Sequence, residues 1–375
     1  MPLFIGLMSG TSLDGVDGVL AELCPRAGER DEIRVVAHSQ RPFAAGLRER
    51  LLQLNTSGGD ELHHAALAAN ALVHHYAAVV ADLLRLGGMP ASAVRAIGAH
   101  GQTVRHRPQE FDGRGYTLQL MNGALLAELC GIDVVCDLRS RDVAAGGQGA
   151  PLVPALHAAL FASAHEDVAV LNLGGIANLT LLSASGPVRG FDCGPGNALM
   201  DLWCRRHLGR DFDDGGCWAA SGRVDALLLQ RLLAEPFLQR LPPKSTGRDL
   251  FNAGWLDRML LGLPNAPAAA DVQATLAEFS ARAAVDALQL HAATTRRLLV
   301  CGGGAFNAYL MQRLAALLPS ATVGSTAECG MPPEQVEALA FAWLASAFIA
   351  RSPGNLPAVT GARGPRVLGA LYPAG

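Results

Sequence analysis

The chain is poor in the features that mark several functional classes. Only 17% of its 375 residues are charged, and 30 basic residues face 33 acidic ones for a net charge of −3. No basic surplus argues for nucleic acid or an anionic membrane as the main partner. Its eight cysteines, at 24, 130, 136, 193, 204, 217, 301 and 329, include no C-x-x-C pair. Scattered thiols within apolar segments are expected to be buried and free, neither disulfides nor zinc ligands, as in a reducing compartment such as the cytoplasm. The first residues offer no basic stretch, long apolar core or small-residue cleavage site, so no signal peptide is expected. The longest apolar stretch, Ala338 to Ala350, is broken by Ser346. It is too short to span a bilayer and reads as a buried helix. There is no low-complexity linker and no Walker loop, since no Gly-Lys-Ser or Gly-Lys-Thr follows the glycine-rich turns at the required spacing.

Half of the residues are apolar, enough for a large core, and the length suits two domains. Leu3 to Met8 reads as a strand entering the polar turn Ser9-Gly-Thr-Ser-Leu-Asp-Gly15, and Val16 to Leu23 as the returning strand. Small hydroxyl residues and glycines leave backbone N–H groups bare, a setting that favours phosphate oxygens. The pattern returns once, with strand Asp167 to Leu173, turn Gly174 to Asn178 and strand Leu179 to Leu182. In the first half a helix is predicted over Ala65 to Leu86, a strand over Val94 to Ala99, a helix over Gly123 to Leu129 and a strand over Asp133 to Cys136. In the second half helices are predicted over Asn197 to Leu208, Val224 to Leu233, Val272 to His291 and Ala305 to Leu317, with a strand over Arg297 to Cys301. Strands alternating with helices imply a mainly parallel sheet in each half, with ligands at the strands' carboxyl ends. The Pro/Gly-dense segment 144–154 reads as a crossover hinge or part of a site, and the tail from Ser352 as packing along the surface.

Several residues are candidates for chemistry. Asp192, in Gly190-Phe-Asp-Cys-Gly-Pro-Gly-Asn197, stands at a strand's end, where a general base belongs, with Asn197 a plausible helix cap. A turn-capping Asp is the competing reading. His100-Gly-Gln-Thr-Val-Arg-His106 is either a sugar-binding strand end or a self-satisfied polar turn. Arg139 and Arg141 offer bidentate partners for a substrate carboxylate, or form a surface salt-bridge cluster with Asp137 and Asp142. Pro242 to Asp249 is a loop with cations and hydroxyls. Glu334 and Glu337 precede and open the apolar helix, where acidic residues are favoured anyway. The pairs His63, His64 and His74, His75 sit about 16 Å apart along one predicted helix, too far for one metal ion.

Taken together, these segments closely resemble the anhydro-N-acetylmuramic acid kinases, of the superfamily of sugar kinases, actin and heat-shock ATPases. The resemblance spans nearly the whole chain. It rests on Gly10-Thr-Ser-Leu-Asp-Gly-Val-Asp17, His100-Gly-Gln-Thr103, Arg141-Asp-Val-Ala-Ala-Gly-Gly-Gln-Gly-Ala-Pro151, Asn172-Leu-Gly-Gly-Ile-Ala-Asn178, Asp192-Cys-Gly-Pro-Gly-Asn197, Lys244-Ser-Thr-Gly-Arg248, Asp271-Val-Gln-Ala-Thr275 and Gly302-Gly-Gly-Ala-Phe-Asn307. Cys193 stands where relatives usually have Thr, and Met121 where they commonly have Gly.

The resemblance implies an α/β fold of two ribonuclease-H-like domains flanking a deep nucleotide- and substrate-binding cleft. The expected domains are 1–140, joined by part of 351–375, and 141–350. It implies an enzyme that uses ATP, Mg²⁺ and water to convert 1,6-anhydro-N-acetylmuramic acid into N-acetylmuramic acid 6-phosphate and ADP in peptidoglycan recycling, as a cytoplasmic homodimer. Asp192 is the implied catalytic base. Gly10, Thr11, Ser12, Leu13, Asp14, Gly15, Val16 and Asp17, with Gly174, Gly175 and Asn178, would clamp phosphates. Gly302, Gly303 and Gly304 would admit adenine and ribose, His100, Gln102, Arg139 and Glu337 would meet the sugar, and Asp14 would be an outer-shell Mg²⁺ partner. Two other readings stay open on the same fold: an ATP-gated binding protein, and a conventional kinase in which Asp192 deprotonates a sugar hydroxyl.

Overall fold

The computed structural model describes residues 1–10, 13–24, 32–247 and 250–375. Thr11 and Ser12 of the first turn, and Arg248 and Asp249 of the second-half loop, lie outside the described residues. The chain divides into two compact units, Met1–Leu160 with Gln335–Gly375, and Phe161–Glu334.

The first unit is built on strands β1 (Leu3–Met8), β2 (Gly15–Cys24), β3 (Glu32–Pro42), β4 (Val94–Ala99), β5 (Gln102–Pro108), β6 (Gly115–Leu120) and β7 (Val134–Cys136). Its main sheet runs β3-β2-β1-β4-β7. The first three strands are antiparallel, while β4 and β7 join in parallel. β5 and β6 form a separate hairpin. The helix Glu61–Gly87 buries Leu72, Val73, Tyr76, Val79, Val80 and Leu83 in the same core as Ile5, Leu7, Val16 and Ile97. By length and hydropathy alone that helix is sufficient to cross a membrane, but those side chains are spent on the sheet.

The second unit repeats this plan with β8 (Val168–Leu173), β9 (Ile176–Leu182), β10 (Arg189–Pro195), β11 (Arg297–Cys301) and β12 (Thr322–Ser325) in the order β10-β9-β8-β11-β12. Again three strands are antiparallel and two parallel. This shared order, a three-strand meander flanked by two parallel strands, is the ribonuclease-H-like arrangement. It corrects the expectation of mainly parallel sheets, because tight hairpin turns force antiparallel neighbours. Helix Ala269–Ala292 is buried along most of its length beneath this sheet.

The unit boundaries differ from the expected 140/141 and 350/351. Helix Val336–Ile349 belongs to the first unit, packed on β1, β2 and β4. A Cβ on Gly6 would lie 1.9 Å from the Ala338 carbonyl oxygen, and one on Gly98 1.9 Å from that of Phe341. Only glycine lets the helix backbone come so near. The segment 144–154 also lies within the first unit, and the tail ends in an exposed strand, β13 (Ala370–Tyr372), that pairs with β7 at the sheet edge.

Candidate functional site

In the first unit the candidates gather where β1 and β4 end. Leu13 N–H donates to the Gly10 carbonyl (3.2 Å), closing the turn. The side chains of Leu13 and Val16 are buried in the core, so these residues offer a ligand backbone only. Gly15 is buried at the start of β2. Asp14 is exposed, with Arg48 4.0 Å away, and Asp17 faces His38 at 3.8 Å.

The turn is held from behind. His100, only 4% exposed, puts Nδ1 3.1 Å from the Ser9 carbonyl, and Gln102 Nε2 donates to the Gly10 carbonyl (3.1 Å). Ser9 Oγ donates to the Gly101 carbonyl (3.0 Å) and shares a hydrogen bond with the Tyr76 hydroxyl (2.9 Å). Because a carbonyl only accepts, His100 Nδ1 carries the proton and Nε2 is the acceptor. Arg139 is the donor to it, with Nε 3.1 Å and Nη2 3.0 Å from His100 Nε2, while its Nη1 donates to the Gly149 carbonyl (2.8 Å). Burial and then the Arg139 cation push His100 down to about 3, so it is neutral at physiological pH. Burial also lowers Arg139 to about 10, opposed by the carboxylates of Glu337 and Asp142. Glu337, in the first turn of helix Val336–Ile349, is thus an electrostatic partner of Arg139. His100, Arg139 and Glu337 form one cluster, and Gln102 joins His100 in holding the Ser9–Gly10 backbone, whereas Arg141 is exposed. Among the described residues, Gln102 Oε1 is a buried acceptor without a hydrogen-bond partner.

In the second unit, register brings three polar side chains into a row. Asp192 pairs with Asn178 across β10 and β9, and Asn178 with Asn172 across β9 and β8. Paired residues share a sheet face, so the row lies opposite the preceding, buried Phe191. Cys193 stands at the irregularity in that pairing, and its buried thiol donates to the Ala177 carbonyl (3.3 Å).

Gly174 and Gly175 turn their carbonyls onto the start of helix Ala198–Leu208, accepting from the N–H groups of Asn197 (2.8 Å), Gly196 (3.0 Å) and Ala198 (3.1 Å). In a trans peptide the next N–H points the opposite way, so Gly175 N–H faces away from that helix. A Cβ on Gly174 or Gly175 would meet its nearest neighbour at 3.6 or 3.8 Å. The protein's own packing does not demand glycine there, and the room is available to a ligand. Gly302 differs: a Cβ would lie 2.4 Å from Asn172 Oδ1. Gly303 and Gly304 continue in the short 3₁₀ turn after β11. Asn197 does not cap its helix by its side chain, contrary to expectation; Nδ2 donates instead to the Leu173 carbonyl (2.9 Å).

Asp192 is gripped by the segment 244–246. Its N–H donates to the Lys244 carbonyl (3.2 Å), and Thr246 N–H donates to Oδ2 (2.9 Å). Burial raises the Asp192 carboxyl to about 6, with Thr246 N–H and the Lys244 ammonium restraining the rise. Lys244 is anchored by bonds to the Leu238 (3.0 Å) and Phe237 (3.4 Å) carbonyls, and its ammonium lies 5.8 and 5.0 Å from the Phe191 and Phe237 ring centres. Sequence reasoning noted this loop but not the role. The signal was present: Lys244 is the one lysine among 30 Lys and Arg residues. A compact ammonium between two rings and two carbonyls is not replaced by a planar guanidinium. Among the described residues no cluster of three or more His, Cys, Asp or Glu could hold a metal ion.

Comparison with known proteins bears on this geometry. A family model described as anhydro-N-acetylmuramic acid kinase matches residues 2–374. A protein of that name from Bordetella petrii is 62% identical over 374 residues, covering 99% of this chain and 96% of that one. Others from Variovorax paradoxus and Cupriavidus metallidurans are 59% and 57% identical, each covering 99% of this chain and 99% and 97% of their own.

Proposed function

The chain belongs to the anhydro-N-acetylmuramic acid kinase family, and from that premise we propose how its residues divide the work. The reaction is ATP-dependent: 1,6-anhydro-N-acetylmuramic acid is opened with water and phosphorylated on its 6-oxygen, in peptidoglycan recycling. The 6-oxygen of the anhydro sugar is tied in an ether to the anomeric carbon and carries no proton. A base that prepares a hydroxyl for phosphorylation therefore has nothing to remove.

In our reading Asp192 takes a proton from water as the water oxygen bonds to the anomeric carbon. The pair of electrons in the breaking C1–O6 bond returns to O6, which accepts the terminal phosphoryl group of ATP, and ADP leaves. A glycosidase normally needs a second carboxyl group to protonate the leaving oxygen. Here phosphoryl transfer takes that place, and one carboxylate suffices. The observation that carries this reading is the carboxyl at position 192, at the end of the Asp192–Asn178–Asn172 row and raised to about 6. It is mostly ionised at neutral pH yet far more basic than a free aspartate.

The other roles follow from what each group can offer. The turn of Gly10, Thr11, Ser12, Leu13, Asp14, Gly15, Val16 and Asp17 and the turn of Gly174, Gly175 and Asn178 bind phosphates, chiefly through backbone N–H groups. Gly302, Gly303 and Gly304 accept the adenosine portion, whose close approach a side chain would hinder. Arg139, Glu337, His100 and Gln102 serve the sugar, with Gln102 Oε1 an acceptor suited to a hydroxyl. Mg²⁺ neutralises phosphate charge when bound. The exposed carboxylate of Asp14 fits an outer-shell partner to its waters, since Mg²⁺ on a nucleotide keeps several waters and needs no all-protein cage. A cytoplasmic homodimer completes the proposal.

The test is turnover in heavy-oxygen water, with products read by mass spectrometry. Label is expected on the anomeric hydroxyl and none on the new phosphate. Label in the phosphate, or turnover of only the ring-opened sugar, would defeat the assignment.

A further inference from the structure

The first unit contains a buried carboxylate to which no role has been given. Asp142, in the short helix Ser140–Ala144, is fully buried. A surface salt-bridge cluster was one of two readings of its segment; the fold encloses Asp142 instead. Its Oδ1 accepts from Asn355 Nδ2 (2.6 Å) and Thr360 Oγ1 (2.8 Å), and its Oδ2 from Gly149 N–H (2.8 Å). The loop wraps it closely: a Cβ on Gly147 would lie 2.1 Å from Oδ2. Thr360 also accepts through its carbonyl from Gln148 N–H (2.7 Å), and Asn355 Oδ1 from Arg366 N–H (2.6 Å). Two segments far apart in sequence, the 146–149 loop and the 355–366 tail, thus converge on one carboxylate.

Gly149 links this knot to the sugar cluster. Its N–H is held by Asp142, and its carbonyl receives Arg139 Nη1 (2.8 Å). On its other side the guanidinium is held by His100. A planar guanidinium fixed at two edges has its remaining donors aimed by those supports.

We propose that Asp142 is a positioning residue for Arg139, acting through Gly149, and that the C-terminal segment Asn355–Thr360 sets the sugar site by loading Asp142's second oxygen. This rests on the reading that Arg139 meets the sugar. Thr360→Val keeps the shape and removes one donor. Thr360→Ser keeps the hydroxyl. Asp142→Asn can turn an amide N–H toward Gly149 N–H, donor against donor.

The experiment measures kcat and the KM of each substrate in the full-length enzyme. Thr360→Val is expected to raise the sugar KM about five- to tenfold, less than the full loss of a hydrogen bond to a charged group because the hydroxyl acts indirectly. Asp142→Asn should raise it further. In both, the ATP KM should stay within about twofold, and Thr360→Ser should restore the sugar KM. Arg139→Gln is the reference, and adding Thr360→Val to it should cost nothing more, because the hydroxyl acts through the missing guanidinium. If Arg139→Gln leaves the sugar KM unchanged, the reading of Arg139 fails. If Arg139→Gln raises it while Thr360→Val leaves it alone, or shifts both KM values alike, the positioning role of Asp142 fails. Should Asp142→Asn not fold, Thr360→Val and its rescue by Ser decide the question.

Discussion

Lowering the pH should switch the enzyme off at an acidity where an ordinary aspartate is still ionised. Burial raises Asp192 to about 6, against an unperturbed value of about 3.9, which corresponds to roughly 3 kcal/mol of differential stabilisation of the neutral acid. If Asp192 must be ionised to accept a proton, kcat/KM for the anhydro sugar should fall to about half its plateau at pH 6 and about a tenth at pH 5. With an unshifted base the same limb would centre near pH 4. The terminal phosphate of the nucleotide titrates in an overlapping range, so one profile is not decisive. Lys244 supplies the control, because its ammonium restrains the rise of Asp192 and has no effect on free nucleotide. In Lys244→Met the limb should move up by about one unit, each profile being scaled to its own plateau. The assay is direct product quantification across pH at saturating nucleotide, free of coupling enzymes. A limb that stays put in Lys244→Met, or a wild-type limb near pH 4, would refute the assignment of Asp192 as the titrating base.

Asp192→Asn should lower turnover by at least about a thousandfold while nucleotide affinity, read by calorimetry, changes little. The same variant should be more stable than the parent above pH 6, by about 1–3 kcal/mol, and indistinguishable below pH 4. The sign follows because a folded-state value above the unfolded one destabilises the fold only once the unfolded chain has lost its proton; denaturant midpoints at the two pH values check it. Gly98→Ala, which would thrust a Cβ to 1.9 Å from the Phe341 carbonyl, should cost at least about 3 kcal/mol. Gly58→Ala, with nothing within 4 Å of the new atom, should stay within about 0.5 kcal/mol, and urea unfolding separates the two.

Strands bounded by turn chemistry were legible from the sequence. Leu3–Met8, Val94–Ala99 and Arg297–Cys301 fall on the residues their apolar runs predicted. Strand Glu32–Pro42 was not, because Arg34, His38, Ser39 and Gln40 leave it only a short apolar alternation, Ile33, Val35 and Ala37, and its pairing with β2 and packing on the core complete it. The strand β5 within His100–His106 was open between a sugar-binding strand end and a polar turn, and its hairpin with β6 was not legible. Asp192, His100 and Arg139 could be singled out by residue type beside strand ends. The support beneath them could not: Asp142 meets Asn355 and Thr360 across more than 200 residues, and no local pattern encodes such a meeting. Lys244 was hidden differently, since its meaning lies in the two rings and two carbonyls that fold around it.

That solitary lysine has a practical consequence. Apart from the chain's amino terminus, the protein owns one primary amine, and it lies beside the group assigned as base. A lysine-specific protease has one bond to cut, between positions 244 and 245, and an acylating dye has one side chain to label. Either reagent becomes a reporter of a single loop, able to register the docking of a sugar with no engineered tag.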